Sequence, residues 1–127
     1  MGTSIANVAI EVADLDRSER FYVDVLGLQV LTRIDTPDVR EVIVGNPDKG
    51  SRLMLAHHTD PTGPGVPAGI WKVFVETDDA GALYAAAVAA GAEAVEPPKL
   101  LEQFKVTIGF VRDPDGYLLE LGQIHPR

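Results

Sequence analysis

Two charged residues of this sequence stand where they could do chemistry: Lys72 at the start of one strand-like segment and Glu120 within another. A carboxylate in a half-buried strand can act as a general base or as a metal ligand. An ammonium group can stabilise the negative charge of an enolate while such a base moves the proton. Lys72 and Glu120 are therefore the candidate catalytic residues, for proton transfer next to a carbonyl group. The alternative is a buried ion pair without chemistry, which is often close to neutral for stability.

Five further side chains are candidate ligand contacts. Met54 and Phe74 offer apolar surface to an organic molecule, and amide, carboxylate and imidazole groups could orient it. His57 and His58 are neighbours in a strand and so face opposite ways, and only His58 shares the side of Met54. A plain exposed position at the end of the strand is the alternative for both histidines. The candidate ligand-binding residues are Asn7, Glu11, Met54, His58 and Phe74.

The composition narrows the function classes. The chain has 127 residues, of which 46% are apolar, and no cysteine, so it can build a core but has no thiol nucleophile and no thiolate zinc site. Its net charge of −8 argues against a nucleic-acid partner, because DNA and RNA are polyanions. No apolar run reaches the roughly 20 residues of a membrane-spanning helix, and the first residues lack the features of a signal peptide. We therefore expect a cytoplasmic protein without a membrane partner.

The elements that must position these side chains occur twice along the chain. A segment that alternates on a two-residue period begins at Val8 and again at Val73, and a helical pattern follows each and stops at Gly27 or Gly91. Turn-forming residues then separate three more strand candidates in each half. The predicted helices cover residues 16–26 and 80–90, and these later strands cover residues 29–34, 39–44, 52–57, 94–96, 106–111 and 117–121.

The repeat predicts an α+β fold made of two βαβββ modules. The first module spans residues 4–58 and the second spans residues 70–123. Residues 59–69 are rich in Pro and Gly and are the predicted linker. Two such modules could set their sheets side by side and form one concave mixed sheet, so residues 1–127 are expected to be a single domain.

The alternation of side chains also predicts which face each residue occupies. Successive residues of a strand point to opposite faces, and the apolar set should lie under the helix. Val8 and Ile10 are expected under the first helix and Trp71 under the second. Glu11 and Glu120 then point to the other side of their sheets, which we call the far face. All the candidate site residues are expected on the far face of their module.

Three motifs resemble those of a known superfamily. They are Val8–Asp16 (VAIEVADLD), Phe21–Tyr22 with Leu26–Gly27, and Asp113–Tyr117 (DPDGY) leading to Glu120–Leu121. Their order and spacing resemble the vicinal oxygen chelate superfamily, the group of glyoxalase I, bleomycin-resistance proteins and extradiol dioxygenases. The resemblance implies paired βαβββ modules, a homodimer, and a concave surface that often holds a divalent metal ion.

The resemblance also implies four metal-ligand positions, which map onto Asn7, Met54, Lys72 and Glu120. Only Glu120 matches, because metal-binding members carry His, Glu, and His or Gln at the other three positions. A thioether does not suit a hard divalent ion, and an ammonium group repels it. We therefore predict no metal cofactor, with Glu120 left as the one candidate ligand and a divalent metal as the alternative.

Three functions remain open on this reading. The first is a glyoxalase-like protein that binds or sequesters a small organic molecule without a metal. The second is a metal-free isomerase or lyase that uses Glu120 or Glu11 as its base. The third is a divalent-metal-dependent lyase or isomerase of the glyoxalase I type that uses Glu120 with a shifted set of ligands. Whether the protein is an enzyme stays open.

Overall fold

The computed structural model describes residues 2–126. The chain divides into two compact units, Met1–Ala68 and Gly69–Arg127. Each unit contains a four-stranded mixed sheet and the element order β-α-β-β-β. The predicted α+β fold with two βαβββ modules is therefore confirmed, whereas a single domain over residues 1–127 stays a prediction.

The first unit begins with a strand whose neighbour in the sheet is the last strand of the unit. The strands lie in the order β1-β4-β3-β2, with β1 parallel to β4 and the other pairs antiparallel. The side chain of Asp14 accepts a hydrogen bond from the backbone N–H of Arg17 and so caps the helix. The elements are β1 (Asn7–Glu11), α1 (Leu15–Arg20), a π-helical continuation (Phe21–Val25), β2 (Gln29–Asp35), β3 (Val39–Gly45) and β4 (Arg52–His58).

The core of the first unit lies between its sheet and its helix. Alternate residues of the central strands are almost fully buried, among them Val42, Val44 and Leu55. Ile10 is 1% exposed, as alternation predicts, but Val8 is 50% exposed. The expected position of Val8 under the helix is therefore wrong. The reason is that β1 is an edge strand, while α1 packs on β3 and β4.

The second unit repeats this plan. Its strands lie in the order β5-β8-β7-β6, with β5 parallel to β8 and the other pairs antiparallel. The side chain of Asp79 caps α2 by accepting from the N–H of Ala82, and Gly91 (φ 101°) ends the helix in a left-handed conformation. The elements are β5 (Val73–Glu76), α2 (Ala80–Ala89), β6 (Glu93–Leu101), a 3₁₀ turn (Glu102–Phe104), β7 (Val106–Arg112) and β8 (Leu118–Ile124).

Strand β6 is much longer than the predicted residues 94–96, because it continues through Pro97 and Pro98. Proline lacks an amide donor and is tolerated only at a sheet edge or a bulge. β6 is an edge strand with irregular register on both sides of Glu96. Gly109 on the neighbouring strand β7 leaves room for the ring of Pro98. A Cβ at position 109 would lie only 3.1 Å from Pro98. Among residues 2–126, no helix is long and apolar enough to cross a membrane.

Candidate functional site

The far face of the second unit carries an ion pair between the two candidate catalytic residues. Leu119 and Leu121 are fully buried on the helix side of β8, so Glu120 between them points to the far face. Lys72 directly precedes β5, the strand beside β8. Its Nζ lies 2.6 Å from Glu120 Oε1, and the two side chains are 26% and 10% exposed. The structure therefore brings Lys72 and Glu120 together in a largely buried contact.

Aromatic rings surround the ammonium group of this pair. Lys72 Nζ lies 4.1 Å from the ring centroid of Trp71 and 5.9 Å from that of Phe110. Both distances fall within the range in which a cation is attracted to a ring face. The expectation that Trp71 lies under the helix is wrong, because Trp71 precedes β5, where strand alternation does not apply, and is 78% exposed.

Phe74 joins the same face from the neighbouring strand. It pairs in register with Glu120 and is 47% exposed. A Cβ built at Gly122 would overlap the Phe74 ring, so the missing side chain at Gly122 lets the ring lie across β8. Phe110, which sequence reasoning missed, faces Glu120 from β7. The turn Asp113–Gly116 could have identified it, because the turn of a hairpin fixes which residues lie opposite each other.

A cleft of about 180 Å³ adjoins the ion pair. Glu96, Phe110 and Glu120 form one row across three neighbouring strands, and Lys99 pairs with Ile108 in the next row. The cleft therefore combines apolar walls with two carboxylates and one ammonium group, a mixture typical of small-molecule sites. Its lining residues are Glu96, Lys99, Leu101, Ile108, Phe110 and Glu120.

A second polar pair lies in the first unit, between Glu11 and His58. The Nδ1 of His58 lies 2.7 Å from Glu11 Oε1, and the backbone N–H of His58 donates to Glu11 Oε2 at 2.8 Å. Glu11 is 7% exposed. Parallel pairing explains the contact, because Glu11 lies opposite Ala56, two residues before His58 on the same face. Gly63 closes over both, since a Cβ there would lie 2.8 Å from His58 Cβ and 3.2 Å from Glu11 Oε2.

The Glu11–His58 contact determines what the imidazole can do. An ionised carboxylate only accepts hydrogen bonds, so Nδ1 must be the donor, and Nε2 of the neutral ring is then free to accept a proton. His57 points away, with Nδ1 2.9 Å from the carbonyl oxygen of Val12. The alternative of two exposed histidines at a strand end is therefore wrong, because both rings are partly buried and hydrogen-bonded.

The loop after β4 holds Gly63 over this pair. Asp60 accepts from the Thr62 hydroxyl at 2.7 Å and from the Thr62 backbone N–H at 3.1 Å. The hydroxyl contact is the main reason why the pKa of Asp60 lies below its usual value, and the His58 charge adds to the effect. The turn therefore holds the Asp60 carboxylate near His58, on the loop that also carries Gly63.

Asn7 and Met54 lie elsewhere on the far face of the first unit. Asn7 is at the start of β1, opposite Arg52, and Met54 is opposite Ala9 on β4. Both side chains are half-buried. The Glu11–His58 pair lies at the other end of β1 from Asn7.

The donor atoms at the four family positions do not fit a divalent metal. Asn7 and Met54 supply an amide and a thioether, and Lys72 supplies an ammonium group that already pairs with Glu120. A hard cation needs several oxygen or imidazole donors. Within residues 2–126, no three His, Asp or Glu side chains come together as a metal-binding group.

Comparison with known proteins identifies the family. The profile of the Glyoxalase/Bleomycin resistance protein/Dioxygenase superfamily matches residues 4–121. The chain belongs to this superfamily. The resemblance inferred from the three sequence motifs is therefore confirmed. A superfamily of this breadth does not fix the reaction, because one fold hosts many functions.

Relatives within the superfamily point to glyoxalase-like proteins. A probable lactoylglutathione lyase from Vibrio parahaemolyticus is 28% identical, over 94% of this chain and 89% of the relative. The trypanothione-dependent glyoxalase I of Leishmania major is 27% identical with a TM-score of 0.77, over 94% of this chain and 86% of that one. An antibiotic-binding protein from a Streptomyces species is 25% identical with a TM-score of 0.74, over 97% of both chains. The chain spans 44% of the length of two plant relatives, a lactoylglutathione lyase and a putative one.

Proposed function

We propose that the protein binds a small organic molecule on the far face of the second unit, without a metal ion. The observation that carries this proposal is the 2.6 Å contact between Lys72 Nζ and Glu120 Oε1. This contact puts the positive charge of Lys72 beside Glu120, the only one of the four mapped positions whose residue agrees with the family's metal ligands. A divalent ion would have to displace that ammonium, and the other mapped positions add only one oxygen donor, the amide of Asn7, which is too few for a tight site.

The proposed contacts follow from the chemistry of each side chain. Phe74 supplies apolar surface, and Lys72 and Glu120 supply charges that could orient a polar group. On the far face of the first unit we propose separate ligand contacts from Asn7, Glu11, Met54 and His58. The similarity to an antibiotic-binding protein supports binding as the activity.

A metal-free enzyme is the second candidate, and the Glu11–His58 pair favours it. A carboxylate that orients an imidazole is a common arrangement for a general base.

In the second unit, Glu120 would take a proton from the carbon next to a carbonyl group. The electron pair of that C–H bond would move onto the carbonyl oxygen, where the Lys72 ammonium would stabilise the negative charge. Return of the proton to another carbon would complete an isomerisation. In a lyase reaction the carbonyl would instead re-form as the enolate electrons expel a group from the neighbouring carbon, which departs with its bonding electron pair.

A divalent-metal lyase is the third candidate, favoured by the relatives named lactoylglutathione lyase. On this view Glu120 is one ligand of a shifted set. Native mass spectrometry of the purified chain with Ni²⁺, Zn²⁺, Mn²⁺ and Fe²⁺ separates this candidate from the other two. We expect the mass of a homodimer without metal. We propose that this homodimer is the form of the protein in the cytoplasm. One metal ion per chain, lost in Glu120→Gln but kept in the exposed control Glu102→Gln, would overturn the metal-free proposal.

A further inference from the structure

We propose that the ligand of the second unit is an organic cation, which displaces the Lys72 ammonium group and takes its place beside Glu120. This inference rests on the proposed function and names its ligand class. The Lys72 side chain then occupies the site as a built-in competitor, and the ligand replaces it.

The surroundings of the ammonium group are those of a cation site. The carboxylate oxygen of Glu120 lies 2.6 Å from Lys72 Nζ. The ring centroids of Trp71 and Phe110 lie 4.1 Å and 5.9 Å from the same nitrogen. A carboxylate together with aromatic faces is how proteins recognise ammonium and quaternary ammonium groups. The aromatic contacts would serve a quaternary ammonium ligand as they serve Lys72, and Glu120 would attract it by charge without the hydrogen bond that Lys72 makes.

Lys72 can leave this position, whereas Glu120 cannot. Lys72 precedes β5 rather than lying in it, its side chain is 26% exposed, and its four-carbon stem lets the charge swing into water. Glu120 is fixed in β8, between β5 and β7, and its side chain is 10% exposed. Departure of the ammonium would leave a buried carboxylate without a counter-charge, which is unfavourable. An incoming cation removes that penalty, and an incoming anion would increase it.

The charge count around the cleft agrees with a monovalent cation. Glu96 and Glu120 line the cleft, Lys99 lines it as well, and Lys72 pairs with Glu120. Two carboxylates and two ammonium groups balance while Lys72 is in place, and its departure leaves one negative charge. A single positive charge on the ligand cancels it. The net charge of −8 on the whole chain would favour the approach of such a ligand.

Apolar surface beside the charge would hold the rest of the ligand. The cleft of about 180 Å³ includes Leu101 and Ile108. Phe74 lies across Gly122 on the same face and keeps nearly half of its surface exposed. The site therefore fits a compact organic cation with an apolar body better than a bare metal ion or a strongly hydrated one.

The test uses Trp71, the only tryptophan of the chain, as a fluorescent reporter of its own site. Three probes of similar size differ in charge: choline, its neutral isostere dimethylbutanol, and the anion dimethylbutyrate. We expect the fluorescence of the full chain to titrate with choline and not with the other two. In Lys72→Met, which removes the competing charge and keeps an unbranched stem, choline should bind at least tenfold more tightly, and in Glu120→Gln about tenfold more weakly. Lys105→Met, an exposed lysine of the same unit, is the matched control and should change neither.

A second measurement keeps the test independent of variant stability. Reductive methylation of the wild-type chain, read by peptide mass spectrometry, reports how accessible each lysine amine is. We expect choline to increase the labelling of Lys72 relative to Lys105, because the displaced amine enters water. Protection of Lys72, or unchanged labelling at saturating choline, would overturn the inference.

The outcomes distinguish this inference from the proposed function. If dimethylbutanol or dimethylbutyrate titrates Trp71 and choline does not, the cation inference is wrong and small-molecule binding stands. If Lys72→Met weakens choline binding, the ammonium is a ligand contact rather than a competitor, and the inference is again wrong. If no probe titrates Trp71, the inference is overturned, and metal uptake in the native mass spectrum then decides the proposed function.

Discussion

Removing Lys72 and removing Glu120 should lower the free energy of unfolding by different amounts, although the two residues form one ion pair. At 2.6 Å, Coulomb's law gives about 1.6 kcal/mol in water and about 6 kcal/mol at the effective dielectric constant of ~20 near a protein surface. Desolvation of the two groups offsets much of this attraction. The geometry decides how the remainder divides between the partners, because only Lys72 can reach water when its partner is lost.

We therefore expect Lys72→Met to lower the free energy of unfolding by about 3 kcal/mol, because it strands a buried carboxylate. Glu120→Gln should lower it by only about 1 kcal/mol, since the freed ammonium swings into solvent and a neutral amide remains. The double variant should resemble Glu120→Gln. Urea unfolding at neutral pH, followed by far-ultraviolet circular dichroism, gives all four corners of the cycle.

The pair between Lys105 and Glu102 is the matched control. Its charged atoms are 3.7 Å apart in the same unit, but the side chains are 49% and 77% exposed. Removal of either partner should change the stability by less than about 0.5 kcal/mol. Equal costs for Lys72→Met and Glu120→Gln, or a larger cost for Glu120→Gln, would mean that Lys72 is not the mobile partner of the pair.

Three further predictions concern other parts of the two units. Gly122→Ala should push the Phe74 ring off β8 and so weaken choline binding. In urea unfolding it should lower the stability by no more than about 2 kcal/mol, because only the far end of an exposed side chain must move. Nitrogen NMR should find His58 protonated on Nδ1 in its neutral form, and Glu11→Gln should remove this preference; a ring protonated on Nε2 in the wild-type chain would contradict the assignment. Asp79→Ala should cost about 1 kcal/mol in thermal or urea unfolding, since it leaves the N–H of the first helical turn without its cap, and Asp79→Asn should recover most of that loss.

Local patterns were enough to predict the repeated units and part of the candidate site. The strand around Glu120 alternates so regularly with buried leucines that its face could be predicted without any tertiary information. The helix ends were equally readable, because Gly27 and Gly91 take left-handed backbone conformations, with φ of 81° and 101°, that other residues avoid. Such features depend on neighbours in sequence, and they can therefore be predicted without knowledge of the fold.

The contacts that define the candidate site depend on strand pairing across long stretches of chain. Glu11 and His58 meet only because β1 lies parallel to β4, and nothing in either segment alone indicates that register. Lys72 and Glu120 are brought together in the same way by β5 and β8. Trp71 was assigned to the wrong face because the alternation of the strand was extended back to it, whereas β5 begins at Val73. Partners and faces at the ends of strands therefore require the structure, whereas those at strand centres do not.

The two prolines of β6 have a consequence for how this protein behaves at high concentration. An edge strand presents unpaired backbone groups that can recruit a strand from another molecule and begin aggregation. Pro97 and Pro98 have no amide hydrogen to offer, and the irregular register around them disturbs the spacing that a second strand would need. The exposed edge of β6 is thereby protected against pairing with a strand of another molecule. Replacement of both prolines by valine would restore that template, at a cost to solubility rather than to the fold.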